Sequence, residues 1–153
     1  MKISKRIGIV GNGFVGSAVR YGFSPNVGID AEVKVYDKDP NKSTHALRDV
    51  LDSDVIFLSV PTPSNSDGSM SVDIVDDALK NINEYAQLFQ VGVILLRSTV
   101  TPGTTRKLQE KYPHLRIVFN PEFLTERSAN FDFINQSRFI LGGNSDDVID
   151  ALP

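Results

Sequence analysis

Three glycines near the start of this 153-residue chain have a spacing that could bind a phosphate group. Gly11, Gly13 and Gly16 fit the pattern G-x-G-x-x-G, directly after a short apolar run. In a strand–turn–helix unit the first glycine makes the turn, the second lets the backbone approach a pyrophosphate, and the third allows close helix–strand packing. Free N–H groups and the dipole at the helix start would hold the diphosphate. The pattern predicts a dinucleotide loop of Gly11, Asn12, Gly13, Phe14, Val15 and Gly16.

An acidic residue further along the chain strengthens this prediction. Asp37 ends a second apolar run, close to the roughly 20-residue separation from the loop that is typical of the carboxylate binding the adenosine ribose. Because a carboxylate there would repel the extra phosphate of NADP, Asp37 favours NAD, and the neighbouring Lys38 is too flexible to reverse this preference. The alternative is a structural glycine turn with a solvated aspartate at a strand end.

The composition argues against several other classes of protein. The net charge is −3 and no block of basic residues occurs, so we expect neither a nucleic-acid partner nor a membrane partner. No apolar run reaches about 18 residues and no signal peptide is evident, which favours a cytoplasmic protein. Cysteine is absent, so no thiol nucleophile exists. His45 and His114 have no metal-ligand spacing, so we expect no metal site and place both at the surface.

Apolar runs alternate with helical stretches along the whole chain, which is typical of one domain with a parallel sheet. A helix is predicted over Phe14–Tyr21, and a longer one over Val72–Phe89. The run at 54–60 is apolar on both faces, as a core strand should be. Six strands covered by helices on both sides would complete a doubly wound, mainly parallel sheet in the order 3-2-1-4-5-6. The predicted strands are 6–10, 33–37, 54–60, 92–99, 116–120 and 138–142.

Four motifs lie at successive carboxyl ends of these strands, where open α/β sheets bind ligands. They are the segments 11–16, 60–63, 98–104 and 120–126. Together they resemble the N-terminal domain of the UDP-glucose/GDP-mannose dehydrogenase family over almost the whole chain. Ser-Thr-Val-x-Pro-Gly-Thr and Asn-Pro-Glu-Phe-Leu are far more specific than the glycine loop. The resemblance implies a Rossmann fold, NAD as cofactor, and oxidation of a nucleotide-sugar C6 alcohol to a carboxylate by two hydride transfers, in nucleotide-sugar metabolism and polysaccharide biosynthesis.

The same resemblance implies roles for individual residues. Thr99 matches the threonine that positions the catalytic water, and Glu122 matches the glutamate that acts with it as acid and base. The cofactor would also contact Val60, Pro61, Thr62, Ser98 and Thr99, and the sugar would contact Glu122, Phe123, Leu124 and Glu126. From the residues alone, Glu122 could be an ordinary loop carboxylate and Thr99 an ordinary strand residue.

Other parts of the family pattern are not found in this sequence. The resemblance assigns residues 1–153 to the NAD-binding domain and leaves out the central helix, the substrate domain and its cysteine nucleophile. We therefore expect a chain that binds NAD, is inactive by itself, and is monomeric or weakly dimeric, whereas the complete enzyme would act on a nucleotide sugar, above all a UDP-sugar. Two alternatives remain: a standalone dinucleotide-binding module, or a hydroxyacid or phosphogluconate-type dehydrogenase domain, which would not require Asn-Pro-Glu-Phe-Leu.

Overall fold

A computed structural model describes residues 5–152 and contains one parallel sheet of five strands. Every neighbouring pair of strands is parallel. All residues of the first, third and fourth strands are buried, as expected for a sheet covered on both faces. The strands are β1 (Ile7–Val10), β2 (Val33–Tyr36), β3 (Val55–Leu58), β4 (Val93–Leu96) and β5 (Ile117–Phe119).

Helices form a layer on each face of the sheet. They are α1 (Phe14–Gly22), α2 (Leu47–Leu51), α3 (Asp73–Ala86), α4 (Thr104–Lys111), α5 (Ala129–Asn135) and α6 (Ser145–Ala151). Apolar side chains of α2, α3 and α4 pack with Ile56 and Ile94 on one face. Those of α1, α5 and α6 pack with Ile9 and Phe57 on the other. The predicted Rossmann-type single domain with helices on both faces is therefore confirmed.

The predicted strand order is wrong. The sheet runs β2-β1-β3-β4-β5, so β3 lies beside β1 instead of outside β2. In β3 every residue is buried, and such a strand needs a neighbour on each side. Only one residue of β2, Val35, is buried, which suits an edge strand. The order 3-2-1-4-5-6 would have placed the more apolar strand, β3, at the edge of the sheet, where its backbone and side chains would be exposed to solvent.

The sixth predicted strand is also wrong. Residues 138–142 form no strand, and Gly142 makes one antiparallel bridge to Phe119, with N–H to O distances of 2.9 and 2.7 Å in the two directions. Phe139 and Ile140 are exposed, so the run that predicted a strand does not enter the core. The helices α5 and α6, which the sequence patterns did not predict, cover this end of the sheet.

The amino edge of the sheet is held by an ion pair between Arg6 and Asp54. The Asp54 carboxylate accepts the Arg6 backbone N–H at 2.7 Å and pairs with Nη2 at 2.9 Å. Hydrogen bonds from Arg6 therefore lower the pKa of Asp54, although burial opposes the shift.

His45 and His114 are both exposed, as predicted. Among residues 5–152, no helix combines the length and the apolar character that crossing a bilayer requires.

Candidate functional site

A cleft of about 540 Å³ lies at the carboxyl edge of the sheet. The ends of β1, β3 and β4 form its floor, and α1 and α3 contribute to its walls. Most residues predicted to bind the cofactor or to act in catalysis come together there. They are Gly11, Gly13, Phe14, Val15, Asp37, Lys38, Val60, Pro61, Thr62, Ser98, Thr99 and Glu122.

The three glycines of the loop have different surroundings. Gly11 has φ +92°, and a Cβ atom on it would lie 2.4 Å from the Ser59 carbonyl oxygen. A Cβ atom on Gly16 would lie 1.9 Å from the Gly11 carbonyl oxygen, so Gly16 is needed where the helix packs on the turn. A Cβ atom on Gly13 would meet no atom of the described residues within 4 Å. Gly13 thus leaves open space on the cleft side, as a backbone contact with a ligand requires.

The start of α1 faces the cleft without a side-chain cap. Gly13 is its N-cap residue, no side-chain cap hydrogen bond is made there in the described part of the chain, and the first turn contains no acidic residue. Phe14 and Val15 line the cleft, and Phe14 is 43% exposed. The positive end of the helix dipole is therefore available to an anion in the cleft.

Asp37 is held firmly in the lining of the cleft, next to the glycine loop. Its Oδ2 accepts the backbone N–H of Asn12 at 2.7 Å, and its Oδ1 accepts that of Asp39 at 2.9 Å. The Ser43 hydroxyl accepts from the Asp37 N–H at 2.8 Å and donates to its carbonyl oxygen at 2.9 Å. Because each carboxylate oxygen has further lone pairs, Asp37 can still accept hydrogen bonds from ligand hydroxyl groups.

Asn12 and Gly16 do not line the cleft. The Asn12 side chain donates to the carbonyl oxygen of Lys42 at 2.8 Å, while its Oδ1 is buried and has no hydrogen-bond partner within residues 5–152. Asn12 therefore joins the glycine loop to the segment after β2, and so helps to place Asp37. Gly16 contributes to the site indirectly, because it allows α1 to pack closely on the turn at Gly11.

A serine hydroxyl links the carboxyl ends of β3 and β4. Ser98 Oγ donates to the carbonyl oxygen of Val60 at 2.7 Å and accepts the Val60 N–H at 3.1 Å. This contact fixes the start of the segment that brings Pro61 and Thr62 to the cleft. Thr99, the next residue, is exposed, so its hydroxyl group is accessible from the cleft.

The loop after β5 divides its predicted substrate residues between two places. Glu122 lies in the main cleft, where its Oε2 accepts the backbone N–H of Leu124 at 2.7 Å. Phe123 and Leu124 line a separate groove of about 490 Å³, together with Phe131 of α5. Glu126 is exposed and lines neither of these two cavities.

Sequence reasoning missed Arg97, which lines the cleft but is only 1% exposed. Burial lowers its pKa to about 10, and the charge of Glu122 opposes this shift. A charged residue at the end of an otherwise apolar strand was the available signal. The other residues missed are Val10, Tyr36, Lys42, Leu47, Ser59, Ile74, Ala78, Asn81 and Ile82. Those in α3 follow a helical spacing and could have been found as a second face of that helix.

Several large apolar side chains near the loop after β5 are exposed. Phe123 and Phe131 are each 68% exposed, and Ile134 and Phe139 are more than 40% exposed. Phe123 and Phe131 both line the groove described above, and exposed apolar side chains that share a surface are typical of interaction sites. This groove and the main cleft are separate cavities, although Glu122 and Phe123 follow one another in sequence.

Comparison with known proteins places this architecture in a family. The sequence model of the UDP-glucose/GDP-mannose dehydrogenase family, NAD binding domain, matches residues 41–152, which is well over half of the chain. That match begins after the glycine loop and Asp37, so those features support the assignment independently.

Individual relatives agree with this match. An uncharacterised protein of Methanocaldococcus jannaschii is 34% identical over 89% of this chain and 18% of its own length. The UDP-glucose 6-dehydrogenase AglM of Haloferax volcanii is 28% identical over 95% of this chain and 43% of its own length. A solved UDP-glucose dehydrogenase from Pyrobaculum islandicum has the same fold, with a TM-score of 0.78, 23% identity, and coverage of 96% of this chain and 43% of that one.

This chain thus spans less than half the length of each of these relatives. An open glycine position, an uncapped helix start and an anchored aspartate are what a dinucleotide requires, so the residues present fit the cofactor that the family model names. The chain belongs to the UDP-glucose/GDP-mannose dehydrogenase family and is an NAD-binding domain of that family.

Proposed function

We propose that this chain is the NAD-binding part of a nucleotide-sugar 6-dehydrogenase. One observation carries the proposal: a single cleft is lined by the glycine loop and Asp37 together with the Thr99 hydroxyl group and the Glu122 carboxylate. A binding module without turnover would need only the first pair of features. The Asn-Pro-Glu-Phe-Leu segment further favours this function over a hydroxyacid or phosphogluconate-type dehydrogenase.

The cofactor would be bound across the cleft. Asp37 would accept hydrogen bonds from the adenosine ribose, and the backbone at Gly13 with the start of α1 would bind the diphosphate. Pro61, Thr62 and Ser98 would line the nicotinamide end. NAD supplies the hydride acceptor for this chemistry.

Thr99 and Glu122 would act on protons beside the nicotinamide end. The exposed Thr99 hydroxyl group can orient a water molecule, and the Glu122 carboxylate can accept a proton and return it. Phe123, Leu124 and Glu126 would contact the sugar nucleotide, above all a UDP-sugar. Since Phe123 and Leu124 lie in the neighbouring groove, that contact would extend beyond the main cleft.

Cofactor choice tests the assignment of Asp37. We expect NAD to bind much more tightly than NADP, because like charges about 4 Å apart repel by about 4 kcal/mol at an effective dielectric constant of 20. Calorimetry with both cofactors measures the ratio, and Asp37→Ala should weaken NAD binding and reduce the preference. Asp39→Ala is a matched control, since Asp39 caps a short turn and does not line the cleft. Equal affinities of wild-type protein for the two cofactors would contradict the assignment.

Turnover tests the catalytic part of the proposal. We expect no sustained NADH formation from UDP-glucose with this chain alone, because it contains no cysteine to form the covalent intermediate of the second oxidation, from aldehyde to carboxylate. The donors that would stabilise an alkoxide at the sugar are likewise expected on the remainder of the family's fold, and losing even one such donor typically costs about a hundredfold in rate. Adding that remainder in trans should restore NADH formation, and Glu122→Gln should then abolish it. Sustained turnover by this chain alone would refute the proposal that catalysis requires the remainder of the family's fold.

A further inference from the structure

Arg97 is the one large charged side chain in the described core, and it connects four elements around the cleft. It follows β4, and its guanidinium carbon lies 5.9 Å from the ring centroid of Phe57 in β3 and 5.6 Å from that of Phe133 in α5. Its Nη1 donates to Asn120 Oδ1 at 2.5 Å, just beyond β5. Nε and Nη2 are buried and have no hydrogen-bond partner among the described residues.

Burying this guanidinium group is unfavourable. Two aromatic ring faces and one hydrogen bond replace only part of its hydration, and an apolar side chain of similar volume would fill the space without that cost. The charge of Glu122 acts in the favourable direction on Arg97. A buried cation retained in the lining of the cleft that also contains the Glu122 carboxylate therefore indicates a role beyond packing.

Asn120 connects Arg97 to the loop that carries Glu122. Asn120 is completely buried, and its backbone N–H donates to the Leu96 carbonyl oxygen at 2.9 Å. Its side chain is bound at both ends, since Oδ1 accepts from Arg97 and Nδ2 donates to the Ile140 carbonyl oxygen at 2.8 Å. Glu122 follows two residues later, after Pro121, whose ring restricts the backbone. A fixed Asn120 thus limits where the Glu122 carboxylate can lie.

We propose that Arg97 is the positioning residue of this cleft: it fixes the Glu122 loop through Asn120 and holds the Glu122 carboxylate at the cleft by its charge. This inference rests on the proposed role of Glu122 as the acid and base of the site. Although Arg97 lines the cleft, it is only 1% exposed, so its proposed role is to position Glu122 rather than to contact a ligand. It acts on Glu122, and Glu122 in turn compensates the buried charge of Arg97.

A double-mutant cycle on the purified chain tests the coupling. Urea unfolding of wild type, Arg97→Met, Glu122→Gln and the double variant should give a coupling of about tenfold in the unfolding constant, which is about 1.4 kcal/mol. Arg97→Lys retains the charge and should retain most of this coupling, although it loses the planar fork. Asp37→Asn is the matched control, because Asp37 is a carboxylate of the same cleft that does not act on Arg97.

The control cycle of Asp37→Asn with Arg97→Met should be additive within about twofold. The proposal would be overturned if the cycle of Arg97→Met with Glu122→Gln were as additive as this control cycle. It would also be overturned if Arg97→Lys removed as much of the coupling to Glu122 as Arg97→Met does. A merely structural arginine would give these results.

A second measurement does not require changing Arg97. In ¹⁵N NMR spectra, the buried Nε–H of Arg97 should give a slowly exchanging signal that shifts in Glu122→Gln and does not shift in Asp37→Asn. An unchanged signal in Glu122→Gln would overturn the proposal even if Arg97→Met fails to fold. Because neither measurement contains NAD, a wild-type chain that fails to bind NAD in calorimetry would count against the proposed function separately.

Discussion

Alanine substitutions at Gly13 and Gly16 should separate the binding role of the glycine loop from its packing role. On Gly16 the added Cβ atom would lie 1.9 Å from the Gly11 carbonyl oxygen, more than 1 Å inside the 3.0 Å limit that Cβ contacts respect. Backbone would therefore have to move, and we expect a loss of about 3 kcal/mol in unfolding free energy. For a domain of this size that loss lowers Tm by about 6–12 °C.

Gly13→Ala should have the opposite effect: it should weaken NAD binding while changing the stability of the fold little. Its backbone, with φ −77° and ψ −159°, suits alanine, and the new methyl group would meet nothing within 4 Å. As an N-cap position it should lose no more than about 1 kcal/mol of stability. The methyl group would, however, occupy the space through which the backbone approaches the diphosphate. We expect NAD to bind about 10-fold to 100-fold more weakly, from about 1–3 kcal/mol of steric conflict.

Thermal unfolding followed by circular dichroism and calorimetric titration with NAD measure the two effects on the same samples. Ser17→Ala serves as a control, since Ser17 is exposed on α1 beyond the loop and should change neither quantity appreciably. NAD affinity in Gly13→Ala equal to that of wild type would refute the assignment of Gly13 to the diphosphate. Undiminished stability in Gly16→Ala would refute the packing argument.

Two further predictions concern stability and assembly. Hydrogen bonds from Arg6 lower the pKa of Asp54 in the folded state below its unfolded value, so the pair stabilises the fold above about pH 4. This contribution is lost as the pH falls through the folded-state pKa. Asp54→Asn should therefore make stability less dependent on pH in the acid range and should cost about 1 kcal/mol at pH 7. An acid-unfolding curve unchanged by Asp54→Asn would contradict this. Light scattering should show a monomer or a weak dimer, since the resemblance places the family's main subunit contact on a central helix outside these residues, and a tight dimer at micromolar concentration would contradict this expectation.

The local sequence pattern was sufficient to predict the strands and the loop that form the proposed cofactor site. The apolar runs located β1 to β5 to within a few residues, and the spacing of Gly11, Gly13 and Gly16 identified the turn that the structure contains. Asp37 could be paired with that turn because a parallel sheet brings the ends of β1 and β2 to one edge. The motifs at 98–104 and 120–126 were likewise sufficient to identify the family.

Other parts of the site could not be obtained in this way. Phe123 and Leu124 are next to Glu122 in sequence but line a different groove, since the chain turns where the Glu122 carboxylate accepts the Leu124 N–H. The run at 138–142 has a strand-like composition but finds only one bridge to β5, and the core at this end is completed by α5 and α6. Sequence periodicity does not report these outcomes, because each depends on which distant surface a segment packs against.

The residue pattern was enough to predict β1 to β5, the helices α1 and α3, the loop that can bind a diphosphate, and the family to which the chain belongs. These properties depend on side-chain periodicity, on glycine conformation and on short motifs, all of which are local. The position of β3 inside the sheet, beside β1, became clear only from the fold. The same holds for the burial of Arg97 between Phe57, Phe133 and Asn120, which come from three separate parts of the chain. Strand order and charge burial depend on the free energy of the whole core, because residues far apart in sequence contribute to it together.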